Sequence, residues 1–387
     1  MKSKVTSEIV SAVRAIYGEE GTIPLHEPRF DSSEKKAVDD CIVSTFVSSV
    51  GVYVNKFEKA LAEYTGSKYA IATVNGTSAL HVALLVAGVL PGDLVLTQAF
   101  TFIATCNAIK YCGAEPVFVD ICPDTLGMSS SSLRAWLEAN TYRENNVLKC
   151  KNTHARISAI LPMHTFGHSA KIDEIIGIAQ EFDLLVVEDA AESLGSYYND
   201  RHVGTRGALS VTSFNGNKII TTGGGGAILT NDEDLAQLAK HLTTTARVGS
   251  KYEFVHDMVG FNYRMPNLNA SLGLSQLEKL DVFVKAKRSV AQHYQQIFAS
   301  SSIDFFSEPK GCVSNYWLNA VLLGDKVERD IVLRELNDEM ILARPPWQLM
   351  TSLPMFKDSQ RGELPVSEDY VDRLLNIPSS VPPLKGA

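Results

Sequence analysis

Residues 69–120 read YAIATVNGTSALHVALLVAGVLPGDLVLTQAFTFIATCNAIKYCGAEPVFVD. Three strand-length runs, Tyr69–Val74, Leu94–Thr97 and Pro116–Val119, are apolar and bounded by Gly, Pro or acidic residues. Between them lie helix-like segments, Ser78–Ala87 and Ile103–Tyr111. The alternation continues with Ser131–Ala139, Ile157–Leu161, Lys171–Phe182 and Leu184–Val187. Strands alternating with helices predict βαβ units and an α/β fold with a mostly parallel sheet. Near-continuous apolar strands are what a sheet covered by helices on both faces requires.

Downstream of Gly207 the pattern changes. Leu209–Phe214 and Gly226–Thr230 read as two strands joined by a Gly-rich turn, and Asp232–Thr244 as a helix capped by Asn231 or Asp232. A strongly helical stretch from Leu268 to about Ser300, interrupted near Leu280–Asp281, leads into strand Trp317–Leu323 and helix Lys326–Glu339. We therefore expect an N-terminal helix and arm over 1–30, a large domain over 31–280 and a smaller C-terminal α/β domain over 281–387.

A length of 387 residues accommodates two domains. With 45% apolar and 21% charged residues the composition is that of an ordinary globular chain, not of a disordered or fibrous one. The formal charge of −8, without a basic stripe, argues against nucleic acid as a partner. The first residues, MKSKVTSEIVSAVRAIYGEEG, read as a short amphipathic helix, because Glu8 and Arg14 break any export-signal core. No run reaches the length needed to cross a bilayer. Six cysteines (41, 106, 112, 122, 150 and 312) show neither C-x-x-C nor zinc spacing, and read as reduced thiols in a cytoplasmic protein.

Four local features carry possible chemistry. Asn75-Gly76-Thr77-Ser78 links a strand to a helix; free N–H groups there, with hydroxyls and a Gly, make an anion site or an ordinary helix cap. Glu188-Asp189 ends an apolar strand, placing two carboxylates at the sheet's carboxyl edge or supplying a cap to the next helix. Lys218 follows a strand and precedes Gly223–Gly226; its amine is a candidate nucleophile, while the glycines equally suit a strand connection. His164 and His168 flank Gly167 after a strand and suit substrate contact or structure better than a metal, for which no ligand set is complete. No Walker loop or G-x-G-x-x-G pattern occurs. In order along the chain, an anion-binding turn, an aromatic at Phe102, a strand-end acid at Asp189 and then Lys218 are the parts that pyridoxal phosphate requires: phosphate, flat ring, pyridine nitrogen and aldehyde.

The chain resembles the DegT/DnrJ/EryC1/StrS nucleotide-sugar aminotransferases, pyridoxal phosphate enzymes of fold type I, from about Ile23 to its C-terminus. The matching runs are NGTSAL (75–80), TFIATCNAI (101–109), GAEPVFVDI (113–121), EDAAESLG (188–195), SFNGNKIITTGGGG (213–226) and GFNYRMPNLNASLGLSQL (260–277). VSSVGVYVNKFE (47–58) and ARPPWQLMTSLPMF (343–356) resemble the branch acting on UDP-4-keto-6-deoxy-N-acetylhexosamines for bacillosamine- and legionaminic acid-type surface glycans.

The resemblance implies that Lys218 holds the cofactor's aldehyde and moves protons, that Asp189 pairs with the pyridine nitrogen, and that Phe102 stacks on the ring. Gly76, Thr77, Ser78 and Ser213 would hold the phosphate, joined by Asn262 from the second subunit of a homodimer. Glu192 falls near the ring hydroxyl, where relatives often carry Gln or His. The implied reaction moves an amino group from L-glutamate to C4 of the keto sugar. Because an acidic chain must supply local cations, Arg247, Lys251, Arg264 and Arg344 are candidate contacts to the sugar nucleotide, or equally solvated surface charges. His164 and Trp347 are further candidate contacts, and no metal is implied. Two other readings are a non-catalytic binding or regulatory member, which Lys218 and Asp189 speak against, and a pyridoxal phosphate sugar dehydratase, which would carry His in place of Lys218.

Overall fold

The computed structural model describes residues 2–249 and 252–382. Its centre is a seven-stranded sheet built from Tyr69–Thr73 (β1), Leu94–Gln98 (β2), Glu115–Val119 (β3), Ile157–Leu161 (β4), Leu185–Asp189 (β5), Leu209–Ser213 (β6) and Gly226–Thr230 (β7). The strand order is β1-β7-β6-β5-β4-β2-β3. β7 runs antiparallel to both its neighbours, and every other pairing in the sheet is parallel. The α/β class with a mostly parallel sheet is therefore what the chain adopts.

Both faces of the sheet are covered, which explains the continuous apolar strands. On one face Val95, Leu161, Val187, Val211 and Ile228 pack against helix Gly76–Val86 and its neighbours Ile103–Tyr111 and Glu233–Thr243. On the other, Leu94, Leu96, Val117, Ile160 and Val186 meet helices Ser130–Asn140 and Ile172–Glu181. The two-residue period of the strand distributes Leu94 and Leu96 to one layer and Val95 to the opposite one. Helix Gly76–Val86 is buried almost all round, so its sequence carries no amphipathic stripe.

The C-terminal part forms a three-stranded antiparallel sheet from Asp304–Phe305, Asn319–Leu322 and Leu374–Ile377. Its core takes Val290, Tyr294 and Phe298 of helix Leu280–Phe298, Val332 and Leu336 of helix Lys326–Asp338, and Ile9, Ala12 and Val13 of the first helix, Lys4–Tyr17. The N-terminal helix is thus amphipathic as expected, starting at a Ser3 cap on the Thr6 N–H, and its apolar face belongs to the C-terminal core.

The long helical stretch is interrupted at Glu278–Lys279, beside Leu280–Asp281 as expected, while other local expectations change. The connection between β6 and β7 is a loop over 214–225, not a tight Gly turn. It is tied by Phe214 N–H to Gly225 O, Thr222 N–H to Phe214 O and Lys218 N–H to Asn215 O. A hairpin, Thr141–Glu144 with Val147–Cys150, lies outside the expected pattern; Asn145 and Asn146 both take positive φ at its turn. All six cysteines are buried and free. Among the described residues no helix is long and apolar enough to cross a membrane.

Candidate active site

β1, β6 and β5 run parallel, so their last residues lie along one edge of the sheet. A cavity of about 310 Å³ opens there. It is lined by Gly76 and Thr77 after β1, Phe102 and Ala104 after β2, Met163 after β4, Asp189 of β5 and Glu192 just beyond it, and Ser213 of β6 with Lys218 in the loop that follows. Trp317 and Trp347 from the C-terminal part close it.

The anion-receptive end forms where helix Gly76–Val86 starts. Asn75 caps it, its Oδ1 accepting the Ser78 N–H at 2.7 Å. The Gly76 and Thr77 N–H groups, in the first turn, have no intrahelical acceptor and lie beside the cavity. A Cβ on Gly76 would stand 3.0 Å from the Ser213 Cβ and 3.2 Å from its Oγ, so glycine lets the two strand ends close up. Behind this turn, a Cβ on Gly226 would sit 2.6 Å from the Asn75 carbonyl carbon and the Gly76 nitrogen.

The two acids of the strand end separate by the pleat. Glu188 turns away from the cavity and is fully buried. It accepts from Arg206 N–H (2.8 Å), Gly207 N–H (2.6 Å) and the His164 ring (2.9 Å). Burial works to raise its pKa, yet the His164 bond and the two amides outweigh it and hold the carboxyl below its ordinary range. Asp189 faces the cavity, accepting the Thr105 hydroxyl at 2.7 Å and the Ala191 N–H at 3.2 Å. Burial raises its pKa, opposed by those two bonds and by the Lys218 charge.

Lys218 lies opposite. Its Nζ is 3.2 Å from Glu192 Oε1 and 3.9 Å from the centre of the Trp317 ring. Glu192 accepts the Phe166 N–H on its other oxygen at 2.9 Å, and burial pushes its carboxyl up to about 7. Trp317 is held in turn by its indole N–H on Asn217 O (2.7 Å) and by its backbone N–H on Asn315 Oδ1 (2.7 Å). Phe102 is 44% exposed at the mouth, its ring 6.1 Å from that of Trp347.

The structure thus brings Gly76, Thr77, Phe102, Asp189, Glu192, Ser213, Lys218 and Trp347 onto one cavity. Ser78 lies further along the helix turn, outside the lining. The expectation for His164 as a substrate contact is corrected. It is wholly buried, its Nδ1 accepting the Ala170 N–H at 3.1 Å while Nε2–H serves Glu188, so no ring atom is left for a ligand. His168 is likewise buried, and burial lowers its pKa to about 4. Arg247 and Arg344 are exposed and outside the cavity's lining. The Arg247 guanidinium stacks on Phe254 at 4.1 Å. Arg264 is half-buried and outside the lining, and Asn262 is exposed. Lys251 lies outside the described residues.

Sequence reading missed Thr105, Met163, Asn215, Asn217, Asn315 and Trp317. Asn315 and Trp317 reach the site from a segment remote in sequence, and no local periodicity marks them. Among the described residues no group of three or more His, Cys, Asp or Glu is placed to hold a metal.

The donors fit pyridoxal phosphate. Gly76, Thr77 and Ser213 would hold its phosphate, Phe102 and Ala191 would face its ring, Asp189 its ring nitrogen and Lys218 its aldehyde. An amine and a buried acid at the carboxyl edge of such a sheet, beside an open helix start, define a pyridoxal phosphate-dependent transferase. The chain belongs to the DegT/DnrJ/EryC1/StrS aminotransferase family, whose model matches residues 28–384. It is 37% identical over 357 residues to the GDP-perosamine synthase of Escherichia coli O157:H7, covering 92% of this chain and 93% of that one. It is 36% identical over 362 residues to the GDP-perosamine synthase of Caulobacter vibrioides, covering 92% and 93%. The crystal structure of a DegT DnrJ EryC1 StrS aminotransferase from Brucella abortus superposes with a TM-score of 0.82 at 29% identity, over 90% of each chain. The protein is a pyridoxal phosphate-dependent sugar aminotransferase, using a nucleotide sugar and an amino donor.

Proposed function

We propose that the chain transfers the amino group of L-glutamate to C4 of a nucleotide-linked 4-keto-6-deoxyhexosamine. The observation that carries this reading is the placing of Lys218 Nζ and the buried Asp189 carboxyl on one cavity with an anion-receptive helix start. Bound pyridoxal phosphate supplies an aldehyde that condenses with amines and a ring that takes up electrons as the donor's Cα–H bond breaks. Asp189, sheltered from water and fixed by Thr105 and Ala191, keeps a pyridine nitrogen protonated. Lys218 Nζ takes the proton from the donor's Cα and, in the second half of the cycle, returns one to C4 of the sugar.

The resemblance of 47–58 and 343–356 to the UDP-4-keto-6-deoxy-N-acetylhexosamine branch favours a UDP-linked acetamido sugar. The product is then UDP-2-acetamido-4-amino-2,4,6-trideoxyglucose. A second reading, a GDP-linked sugar, is favoured by the two GDP-perosamine synthases that the chain resembles. Mixing the loaded enzyme and glutamate with UDP- and GDP-linked 4-keto sugars, and weighing the products by mass spectrometry, separates the two. An amino product from the UDP series alone supports the first. Amination of neither series removes both.

We also infer a homodimer with shared sites. Asn262, matched to a phosphate contact, is exposed and outside this chain's own cavity. Nearby in sequence, Phe254 and Val259 are 77% and 83% exposed, and Val43, Phe46 and Val50 add further uncovered apolar surface.

A further inference from the structure

Most of the buried titratable groups have structural work in the fold: Glu188 anchors a loop, His164 and His168 pack, and Lys287 donates to the Ser379 carbonyl. Glu192 is different. Its side chain is 1% exposed and lines the reactive cavity. One carboxyl oxygen is committed to the Phe166 N–H at 2.9 Å, which fixes the group's orientation. The other is directed at Lys218 Nζ at 3.2 Å. We propose that Glu192 is a catalytic acid–base partner of Lys218, accepting the ammonium proton to free the amine and returning it when the amine has done its work. This rests on the aminotransferase reading of the site.

The step balances within the pair. A Lys218 Nζ–H bond breaks with its electron pair staying on nitrogen, and a Glu192 Oε1–H bond forms. An ammonium and a carboxylate become a neutral amine and a neutral acid, with no other reactant. Burial favours that neutral pair, because separated charges out of water are costly. The charged groups facing Glu192 are Lys218 from the β6–β7 loop and Asp189 from β5; the former favours the carboxylate and the latter opposes it. The 3₁₀ turn Thr165–Gly167 contributes only the Phe166 N–H, and the C-terminal part only the uncharged Asn315 and Trp317. Burial raises the Glu192 carboxyl to about 7, which makes it a stronger proton acceptor than a carboxyl in its ordinary range.

Glu192→Gln tests this, since its amide oxygen still accepts the Phe166 N–H and the fold is kept. In the full chain before cofactor loading, competitive acetylation with acetic anhydride at fixed pH, followed by mass spectrometry, gives the rate at which Lys218 reacts, with exposed Lys4 as internal reference. If Glu192 takes the ammonium proton, its replacement should slow Lys218 acetylation at least about tenfold relative to Lys4; a carboxylate that only paired with the ammonium would leave Lys218 faster once removed. In the loaded enzyme, the glutamate half-reaction should show an inflection near pH 7 in the wild type that is missing in Glu192→Gln and returns in Glu192→Asp. Unchanged or faster Lys218 acetylation in Glu192→Gln, or identical pH profiles, would overturn the role. The acetylation readout needs no sugar substrate, so failure of the proposed reaction leaves it standing.

Discussion

Lys218 and Asp189 differ in what their loss removes. Lys218→Ala leaves the cavity but no amine, and we expect turnover to fall below detection, by a coupled assay for oxoglutarate release. Asp189→Asn keeps the Thr105 and Ala191 contacts while removing the charge. We expect kcat to fall at least about 100-fold, and kinetics equal to wild type would refute the pairing with a ring nitrogen. Glu188 makes a contrasting case one residue away. Glu188→Ala orphans the His164 ring and two amides, and should cost roughly 3–5 kcal/mol by urea unfolding. Its pKa is lower in the folded chain than in the unfolded one, so its contribution is complete above the ordinary carboxylate range and fades as pH falls. The gap between wild type and variant should therefore hold from about pH 7 down to the ordinary carboxylate range and narrow below it.

At the scale of elements, the site depends on close packing between strand ends. Gly226 pairs with both Thr73 and Ser213, backing directly onto the capped turn. Gly226→Val would drive side-chain carbons into the Asn75–Gly76 peptide. It should abolish cofactor retention, read by absorbance after gel filtration, and lower the melting temperature. The same economy appears where helix Val52–Thr65 begins. Gly51 has no side chain to cap it; instead Asn267 Oδ1 accepts the Tyr53 N–H at 2.9 Å while its Nδ2 holds Phe46 O at 2.6 Å. A Cβ at Gly51 would overlap that amide at 2.3 Å.

These contacts explain what could be read in the chain beforehand. The sheet was legible because strands buried on both faces write long apolar runs; the Asn75 turn and Asp189 stand out at strand ends, and Lys218 in the loop that follows one. His164 misled because a histidine after a strand gives no sign of whether its ring turns inward. Trp317 and Asn315 stayed hidden because only the folded C-terminal part carries them to the cavity.

At the scale of the whole molecule, the exposed apolar surface sets a further expectation. Val259→Glu places a charge in the uncovered patch without touching this chain's cavity. If two copies complete each other's sites, analytical ultracentrifugation should show the variant as monomer, with cofactor affinity reduced at least about tenfold. A wild-type monomer with full activity would sink the shared-site inference.

The position of β7 has a consequence for how the chain emerges from the ribosome. β1 lies at the rim of the sheet; among the described residues its one neighbour within that sheet is β7, and on its outer side Thr73 makes an isolated bridge to Arg264. Roughly 150 residues separate the two, and at about 5–20 residues per second the earlier segment waits about 8–30 s for its neighbour to be translated. Throughout that interval YAIAT has no strand beside it, and the phosphate cradle lacks its rear wall. Nascent chains stalled before codon 226 should be unable to capture the vitamin, so that cofactor uptake marks late synthesis.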